Sequence, residues 1–316
     1  MNIYHLLSRY MDYFAAGDAV GKATEFMTLE EIRTSIGKIN GLIPNTKSKN
    51  HSDLKDWEVT DDTEQNLFLL RRYLKDRYIS IDNTVDALVE WIDTTGAVEK
   101  KYIGPSSLRA LQGIKAGEDP NFAGINGTTC GGIMRTPSAV FSSIILDTDL
   151  DEAIHTALLP THNNSVAFES AYAYGYALKK ALDGGSKEDV IEAAKEGCRK
   201  GIKKAPWLSA SSTLLARISF LEKMDIASWS EEDLSDFLYG VYGTGLPSYE
   251  TAGAVFALVM YTSDPVKAIY ISAGLGGDTD TIGALAASLL SMMNRDAELP
   301  ENVINPIKNN IDLEIK

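Results

Sequence analysis

The sequence predicts an all-α fold, and three observations support that prediction. Apolar residues recur at helical spacing along most of the chain, and Ser, Thr or Asp followed by Glu or Asp repeatedly marks a helix start. No segment shows the alternation of apolar and polar residues that is typical of a half-buried strand. Because the sequence also shows no repeat and no linker, we expect residues 1–316 to form a single compact domain of many helices.

The helices can be predicted in chain order from apolar spacing and capping residues. The first should cover residues 3–15 and end at a glycine-bracketed turn, residues 17–25. Thr28 and Glu31 form a capping box for a short helix, whereas residues 37–58 lack periodicity and should form a long surface loop. One helix should begin after Gly104-Pro105, and the others are predicted at residues 62–78, 85–92, 150–159, 166–182, 187–203, 207–223, 231–240, 250–261, 265–273 and 282–293.

Composition excludes several classes of protein. No apolar run approaches the length of a membrane span, and the N-terminus lacks a secretory pattern, so we expect a cytoplasmic protein without membrane attachment. Two cysteines are too few for a disulfide scaffold, and the four histidines show no spacing typical of structural zinc. The net charge of −14 disfavours a general nucleic-acid surface, although a small anion could still bind locally through a metal.

A polar, oxygen-rich stretch at residues 276–284 lies between two apolar runs. Asp278, Asp280 and the hydroxyl of Thr281 could point to one place if a turn there enters a helix. Donors that are all oxygen favour Mg²⁺, Mn²⁺ or Ca²⁺ over Zn²⁺. The alternative is a simple helix N-cap, which is the commoner role of such a stretch taken alone.

A second stretch of the same kind begins at Thr60 and continues through Asp61, Asp62 and Thr63, directly before a strongly helical run. If the two stretches meet in the fold, their carboxylates repel one another and need cations to neutralise them. Two divalent ions roughly 3.5–4 Å apart are a recurring hydrolytic arrangement. The alternative interpretation is two unrelated helix caps.

The glycine-bracketed segment, residues 17–25, carries an acid at each end. We expect Asp18 to be structural, as a capping or turn-forming carboxylate. Glu25 should lie on a mobile loop from which it could reach a metal or a leaving group.

Several residues are candidates for contacts with a substrate. A glycine-rich patch that includes Gly131 precedes Arg135 and could hold a phosphate, or it could be a plain tight turn. His162 is a lone histidine at a helix start, where a structural role is the default. Tyr242 and Tyr249 could stack on a base or pack in the core.

In their order along the chain, these motifs resemble the ADP-ribosylglycohydrolase family, which includes the dinitrogenase reductase-activating glycohydrolases. The resemblance covers nearly the whole chain. It rests on Gly17-Asp18-Ala19-Val20-Gly21 with Glu25, Thr60-Asp61-Asp62-Thr63, Gly104-Pro105, Met134-Arg135, Thr161-His162 and Gly277-Asp278-Thr279-Asp280-Thr281.

The resemblance implies an all-α domain with two Mg²⁺ or Mn²⁺ ions in a cleft. It also implies hydrolysis of an α-N- or O-glycosidic bond of ADP-ribose, with ADP-ribose or an ADP-ribosylated protein or small molecule as partner. Carried over to this chain, Glu25 is a mobile acid near the metals, and the implied metal ligands are Thr60, Asp61, Asp62, Asp278, Asp280 and Thr281.

The chain departs from the family pattern at two places. Thr129-Cys130-Gly131-Gly132 replaces a Gly-Asn-Gly-Ala-like approach to the Met-Arg pair, and Leu246 lies in a loop where a tryptophan is common. A hydrolase of a related ribosyl or nucleoside-like glycoside therefore remains an alternative. We expect residues 37–58 or 242–249 to select the part of the ligand beyond the ribose.

Two alternatives come from other classes of protein. An inactive ADP-ribose-binding or immunity protein would usually have lost one of the six ligands, and none is lost here. A kinase-like enzyme would also use two Mg²⁺, but the sequence has no Gly-x-x-x-x-Gly-Lys-Ser/Thr loop. For a glycohydrolase, the reaction needs an activated water and a proton for the leaving group, and we assign these tasks to Asp61 or Asp62 and to Glu25.

Overall fold

The computed structural model describes residues 2–315, and in that range the chain forms sixteen α-helices and no β-sheet. The predicted all-α fold is therefore confirmed. An isolated bridge joins Thr129 and Pro247. The helices are α1 (Ile3–Gly21), α2 (Leu29–Ser35), α3 (Asp61–Asp76), α4 (Ile81–Thr95), α5 (Pro105–Lys115), α6 (Pro120–Ala123), α7 (Thr136–Leu146), α8 (Leu150–Leu158), α9 (Ser165–Leu182), α10 (Lys187–Lys204), α11 (Leu214–Leu221), α12 (Glu231–Phe237), α13 (Ser248–Tyr261), α14 (Pro265–Ala273), α15 (Thr279–Met293) and α16 (Glu301–Lys308).

Helices α1 and α15 pack against each other at the centre of the molecule, and glycine makes their close approach possible. A Cβ atom on Gly17 would overlap the backbone of Gly283, and one on Gly21 would overlap the backbone of Asp280. The prediction that the first helix ends at residue 15 is therefore wrong. These glycines continue the helix and serve its packing, which brings the start of α15 directly against the end of α1.

Most of the remaining helices pack around this pair and contribute to one large hydrophobic core, beside which lie three smaller clusters of the described residues. The buried side chains of the large core come from the whole described range, from Leu6 in α1 to Leu313 after α16. Helix α9 packs along α10, while α3 packs on α4 and α7. None of the helices in residues 2–315 is both long and apolar enough to cross a lipid bilayer.

Most of the predicted helices are present, and the exceptions have physical reasons. The helix predicted at residues 207–223 begins only at Leu214, because Thr213 caps it by accepting a hydrogen bond from Ala216 N. Helix α7 was not predicted, since it is buried on most sides and has no amphipathic stripe. Residues 37–58 are mainly irregular, as predicted, apart from a 3₁₀ turn at Asn45–Lys47.

Replacement of Gly17 by alanine should destabilise the fold through the contact between α1 and α15. We expect Gly17→Ala to lower the free energy of unfolding by about 1–3 kcal/mol, because the overlap is with backbone and outweighs the helix propensity gained. Gly240→Ala is the matched control, since its new methyl group meets open space. Chemical denaturation measures both variants, and a Gly17→Ala protein as stable as the Gly240→Ala protein would contradict this packing.

Candidate metal centre

The two acidic stretches both lie at helix starts, but their side chains do not act as caps. Thr60 is the N-cap residue of α3 and Asp278 that of α15, and neither side chain makes a capping hydrogen bond. The two starts meet in space, because Thr281 Oγ1 lies 3.1 Å from Asp278 Oδ1 and 3.3 Å from Asp62 Oδ2. The alternative of two unrelated caps is therefore not what the structure shows.

Asp18, on α1, supplies the cap that α3 lacks. Its carboxylate accepts hydrogen bonds from the backbone N–H groups of Thr60 and Thr63, at 3.0 and 3.1 Å, and from both threonine hydroxyls. The predicted structural role of Asp18 is confirmed. The proton of the Thr60 hydroxyl is thereby donated to Asp18, and Thr60 does not line the cavity described next.

A small cavity lies where α3 and α15 begin. Its volume is about 70 Å³, well below the ~300–1,000 Å³ of typical small-molecule sites, so it suits ions, water and the reacting end of a ligand. Seven of the predicted site residues line it: Glu25, Asp61, Asp62, Gly131, Asp278, Asp280 and Thr281. The remaining wall is formed by Phe26, Lys101, Tyr102, Ile103, Gly104, Pro105, Thr129, Cys130, Met134 and Leu246.

The carboxylates around this cavity crowd one another. Carboxylate oxygens of Glu25, Asp278 and Asp280 lie within 4.8 Å of one another. Burial, and next the charge of neighbouring carboxylates, raises the pKa of each of Glu25, Asp61, Asp62 and Asp280 well above its ordinary value. Burial also raises the pKa of Asp278 to about 6, although a hydrogen bond from Thr251 opposes this shift.

Lys22 is a buried cation beside the cluster, but its ammonium does not pair directly with these carboxylates. Its Nζ donates to the backbone carbonyls of Ala19 and Asp56, at 3.1 and 2.9 Å. Burial lowers the pKa of Lys22 to about 8, against the opposing field of Asp18. A single ammonium leaves most of the clustered negative charge uncompensated.

The donor set fits a hard divalent cation. All the clustered donors are oxygen atoms, and buried Asp62 Oδ1 has no hydrogen-bond partner among residues 2–315. A buried polar atom without a partner is costly, so its presence indicates that a further group belongs there. The cluster of Glu25, Asp278 and Asp280 can therefore hold a metal ion.

Glu25 is held more firmly than a mobile loop would hold it. It follows a 3₁₀ turn, Lys22–Thr24, and is 9 % exposed. Its Oε2 is hydrogen-bonded to Nε2 of His51. Sequence reasoning missed His51, and the sole signal was its place in the 37–58 loop that we expected to contact the ligand.

Arg135 does not contact the cavity, contrary to the prediction of a phosphate ligand. Its guanidinium is fully buried and donates to Ala157 O at 2.9 Å, to Gln65 Oε1 and to Thr161 Oγ1. Burial lowers the pKa of Arg135 to about 10. Arg135 connects the start of α7 to the end of α8, because it donates hydrogen bonds to backbone carbonyls there that have no partner within the helix.

His162 lies behind the cavity wall and does not face the cavity. Its Nδ1 lies 2.8 Å from Thr161 Oγ1 and its Nε2 lies 3.0 Å from Thr129 Oγ1, so both ring nitrogens have partners. The ring packs on Gly131, where a Cβ atom would come within 2.7 Å of it. His162 therefore supports the glycine that lines the cavity, and its proposed contact with substrate is corrected to a structural one.

Tyr242 and Tyr249 also have structural roles, since they pack in or against the core as in the second of the two interpretations given above. Tyr242 is 6 % exposed and belongs to the main core, and Tyr249 packs against that core. The Arg217 guanidinium lies 4.2 Å from the Tyr242 ring centroid and 5.3 Å from that of Tyr249. From the same loop, Leu246 is the residue that reaches the cavity.

The fold and the site together define an all-helical protein whose buried carboxylate cluster suits divalent cations. A sequence model of the ADP-ribosylglycohydrolase family matches residues 14–315, so the chain belongs to that family. The uncharacterized protein YegU of Escherichia coli (strain K12) is 29 % identical over 286 residues, which are 89 % of this chain and 85 % of that protein.

Two further comparisons extend the similarity over nearly the full chain. An uncharacterized protein of Archaeoglobus fulgidus is 25 % identical over 301 residues, which cover 95 % of this chain and 90 % of that protein. A solved structure described as an ADP-ribosylglycohydrolase-related protein complex superposes with a TM-score of 0.65 at 20 % identity, covering 98 % of this chain and 99 % of that one. The last comparison shows a shared fold.

Stability without metal should fall as the pH rises. The pKa of Asp278 is raised from 3.8 to about 6 in the folded protein, so its stabilising contribution is complete below pH 3.8 and is lost as the pH rises through about 6. The other raised carboxylates act in the same direction. We expect the melting temperature of the metal-free protein to fall over this range and saturating Mg²⁺ to reduce the fall.

Asp278→Asn is the matched variant for this measurement, because it removes one titrating carboxyl group and keeps the size of the side chain. Its melting temperature should depend less steeply on pH between about 4 and 6 than that of the wild type. Equal slopes in thermal melts with EDTA would show that Asp278 does not titrate as described.

Proposed function

We propose that this protein is a Mg²⁺- or Mn²⁺-dependent glycohydrolase that cleaves the α-N- or O-glycosidic bond of ADP-ribose. The bond would join ADP-ribose to a modified protein side chain or to a small acceptor. The observation that carries this proposal is the meeting of two acidic helix starts around one small cavity, in a chain that belongs to the ADP-ribosylglycohydrolase family.

The clustered oxygen donors would hold two cations. We assign Asp61, Asp62, Asp278, Asp280 and Thr281 as ligands because all five line the cavity. Glu25 also lines the cavity and lies beside two of them, and we assign it to proton transfer. Thr60 remains a proposed ligand only through the lone pairs of its hydroxyl oxygen, since its proton is donated to Asp18. When bound, such ions orient the vicinal hydroxyls of a ribose and lower the pKa of a water molecule.

Glu25 is our candidate for the residue that gives a proton to the leaving group. It lines the cavity, and burial raises its pKa above the ordinary value, which favours the protonated form that a general acid needs. Because the bond breaks with positive charge building at the anomeric carbon, protonation of the departing atom and nearby carboxylates both favour cleavage.

Asp62 is better placed than Asp61 to take a proton from the attacking water. Asp61 Oδ2 already accepts hydrogen bonds from Gln65 Nε2, at 3.2 Å, and from Gly104 N, at 3.4 Å. Asp62 Oδ1 has no partner among the described residues and can therefore accept a proton without losing a hydrogen bond.

One observation favours a second candidate, the hydrolysis of a smaller ribosyl or nucleoside-like glycoside. Cys130 and Leu246, which lie in the two stretches where the chain departs from the family pattern, both line the cavity. The recognition of the group beyond the ribose is where these residues would act. An inactive ADP-ribose-binding protein would bind the ligand in the same cavity without turnover.

A panel of substrates distinguishes these functions. We expect Mg²⁺- or Mn²⁺-dependent turnover of at least one of ADP-ribosyl-arginine, ADP-ribosyl-serine and O-acetyl-ADP-ribose, and loss of turnover with EDTA. Turnover of simple ribosides alone would support the second candidate. Binding of ADP-ribose with no turnover of any compound would support the inactive alternative and reject our proposal.

Variants of single carboxylates should separate metal binding from proton transfer. Asp280→Ala and Asp62→Ala should change the stoichiometry of Mg²⁺ measured by titration calorimetry, because each removes a ligand. Glu25→Gln keeps a side-chain oxygen that can still contact a cation, so it should retain metal binding while kcat falls by roughly 10²–10⁴. Glu196→Gln, at an exposed position of α10, is the control and should leave both unchanged. A Glu25→Gln enzyme of normal rate across the pH range would remove Glu25 from the mechanism.

A further inference from the structure

We propose that His51 is a positioning residue that holds Glu25 toward the cavity, an inference that rests on the proposed function. His51 Nε2 is hydrogen-bonded to Glu25 Oε2, and their side chains are only 3 % and 11 % exposed. The bond occupies one oxygen of the carboxyl group. Glu25 also lines the cavity, so the residue that His51 holds is one that faces the proposed site.

His51 is itself fixed by the chain on both sides of it. Its backbone N–H donates to Ser48 Oγ at 3.0 Å, and its carbonyl accepts from the Asn45 side chain. The segment that carries it, residues 45–56, is tied to the turn of Glu25 at two further points. Asn50 Nδ2 donates to Glu25 O at 2.9 Å, and Lys22 Nζ donates to Asp56 O at 2.9 Å.

The hydrogen bond with His51 is needed because no other residue among 2–315 holds the Glu25 carboxyl group in place. The carboxylates of Asp278 and Asp280 lie beside it and repel it when it is ionised. Asn50 holds its backbone carbonyl, and Lys22 donates to other carbonyls. The His51 ring is the group that contacts the carboxyl itself, so it decides where Glu25 points whichever partner donates the proton.

The hydrogen bond between His51 and Glu25 also connects the loop of residues 37–58 to the site. Residues 37–58 or 242–249 were expected to select the part of the ligand beyond the ribose, and that stays a prediction. None of residues 37–58 lines the cavity itself, but the loop contacts Glu25, because His51 is hydrogen-bonded to the carboxyl group. Correct placement within a fraction of an ångström matters for proton transfer, so loss of the tie should affect kcat more than KM.

A double-mutant cycle between His51 and Glu25 tests this inference, with kcat and KM measured on whichever ADP-ribosyl substrate the wild type turns over. His51→Leu should lower kcat at least about 10-fold and change KM less than about 3-fold. His51→Gln should recover most of kcat, because its amide Nε2 can take the place of the ring Nε2. In a Glu25→Ala background, His51→Leu should change kcat less than about 2-fold.

His155→Leu is the matched control, a partly buried histidine on α8 that packs edge-on against Phe168, and it should leave kcat unchanged. If the effects of His51→Leu and Glu25→Ala on kcat simply multiply in the double variant, the inference is wrong. It is also wrong if the His51→Gln enzyme is as slow as the His51→Leu enzyme. Additive shifts of the melting temperature in the metal-free proteins would overturn it too, since they would show that the pair does not interact. Absence of any wild-type turnover rejects the proposed function instead, and the two failures are thereby distinct.

Discussion

The main constraint on this structure is that many carboxylate groups are buried close together. Asp18, Glu25, Asp61, Asp62, Asp278 and Asp280 are all buried near the starts of α3 and α15. Burying a carboxylate costs free energy unless it is paired or hydrogen-bonded. The fold offsets part of this cost, because helix N-termini favour anions and because four hydrogen-bond donors contact the Asp18 carboxylate. The negative charge of the other carboxylates remains uncompensated, and divalent cations are well suited to neutralise it.

The central helix pair explains why the charge is concentrated in one place. Gly17 and Gly21 let α1 lie against α15 with backbone in contact, which presses the start of α15 against the end of α1. Asp18 on the same helix then fixes the start of α3. A single helix therefore positions both acidic stretches. Its continuation through Gly21 also places Glu25 beside Asp278 and Asp280.

Behind the cavity, several polar side chains act as supports, although their types suggested contact with a ligand. Arg135 satisfies carbonyl groups at the end of α8, and His162 packs behind Gly131 with both ring nitrogens occupied. Such residues keep the wall rigid without facing the cavity. The wall itself contains Cys130 and Leu246 beside the acidic residues.

The sequence by itself determined the helical class, most helix positions and the acidic residues of the site. Periodicity and capping are local properties, and paired Asp and Thr motifs can be recognised without a fold. The tertiary structure alone decided which candidates face the cavity. Burial and hydrogen-bond partners arise from contacts between residues that are distant in the sequence. These contacts show that Arg135, His162 and Tyr242, which were candidates for contacts with a ligand, are buried supporting residues. For the same reason His51 was invisible: it is 26 residues from Glu25, and no local pattern encodes their contact.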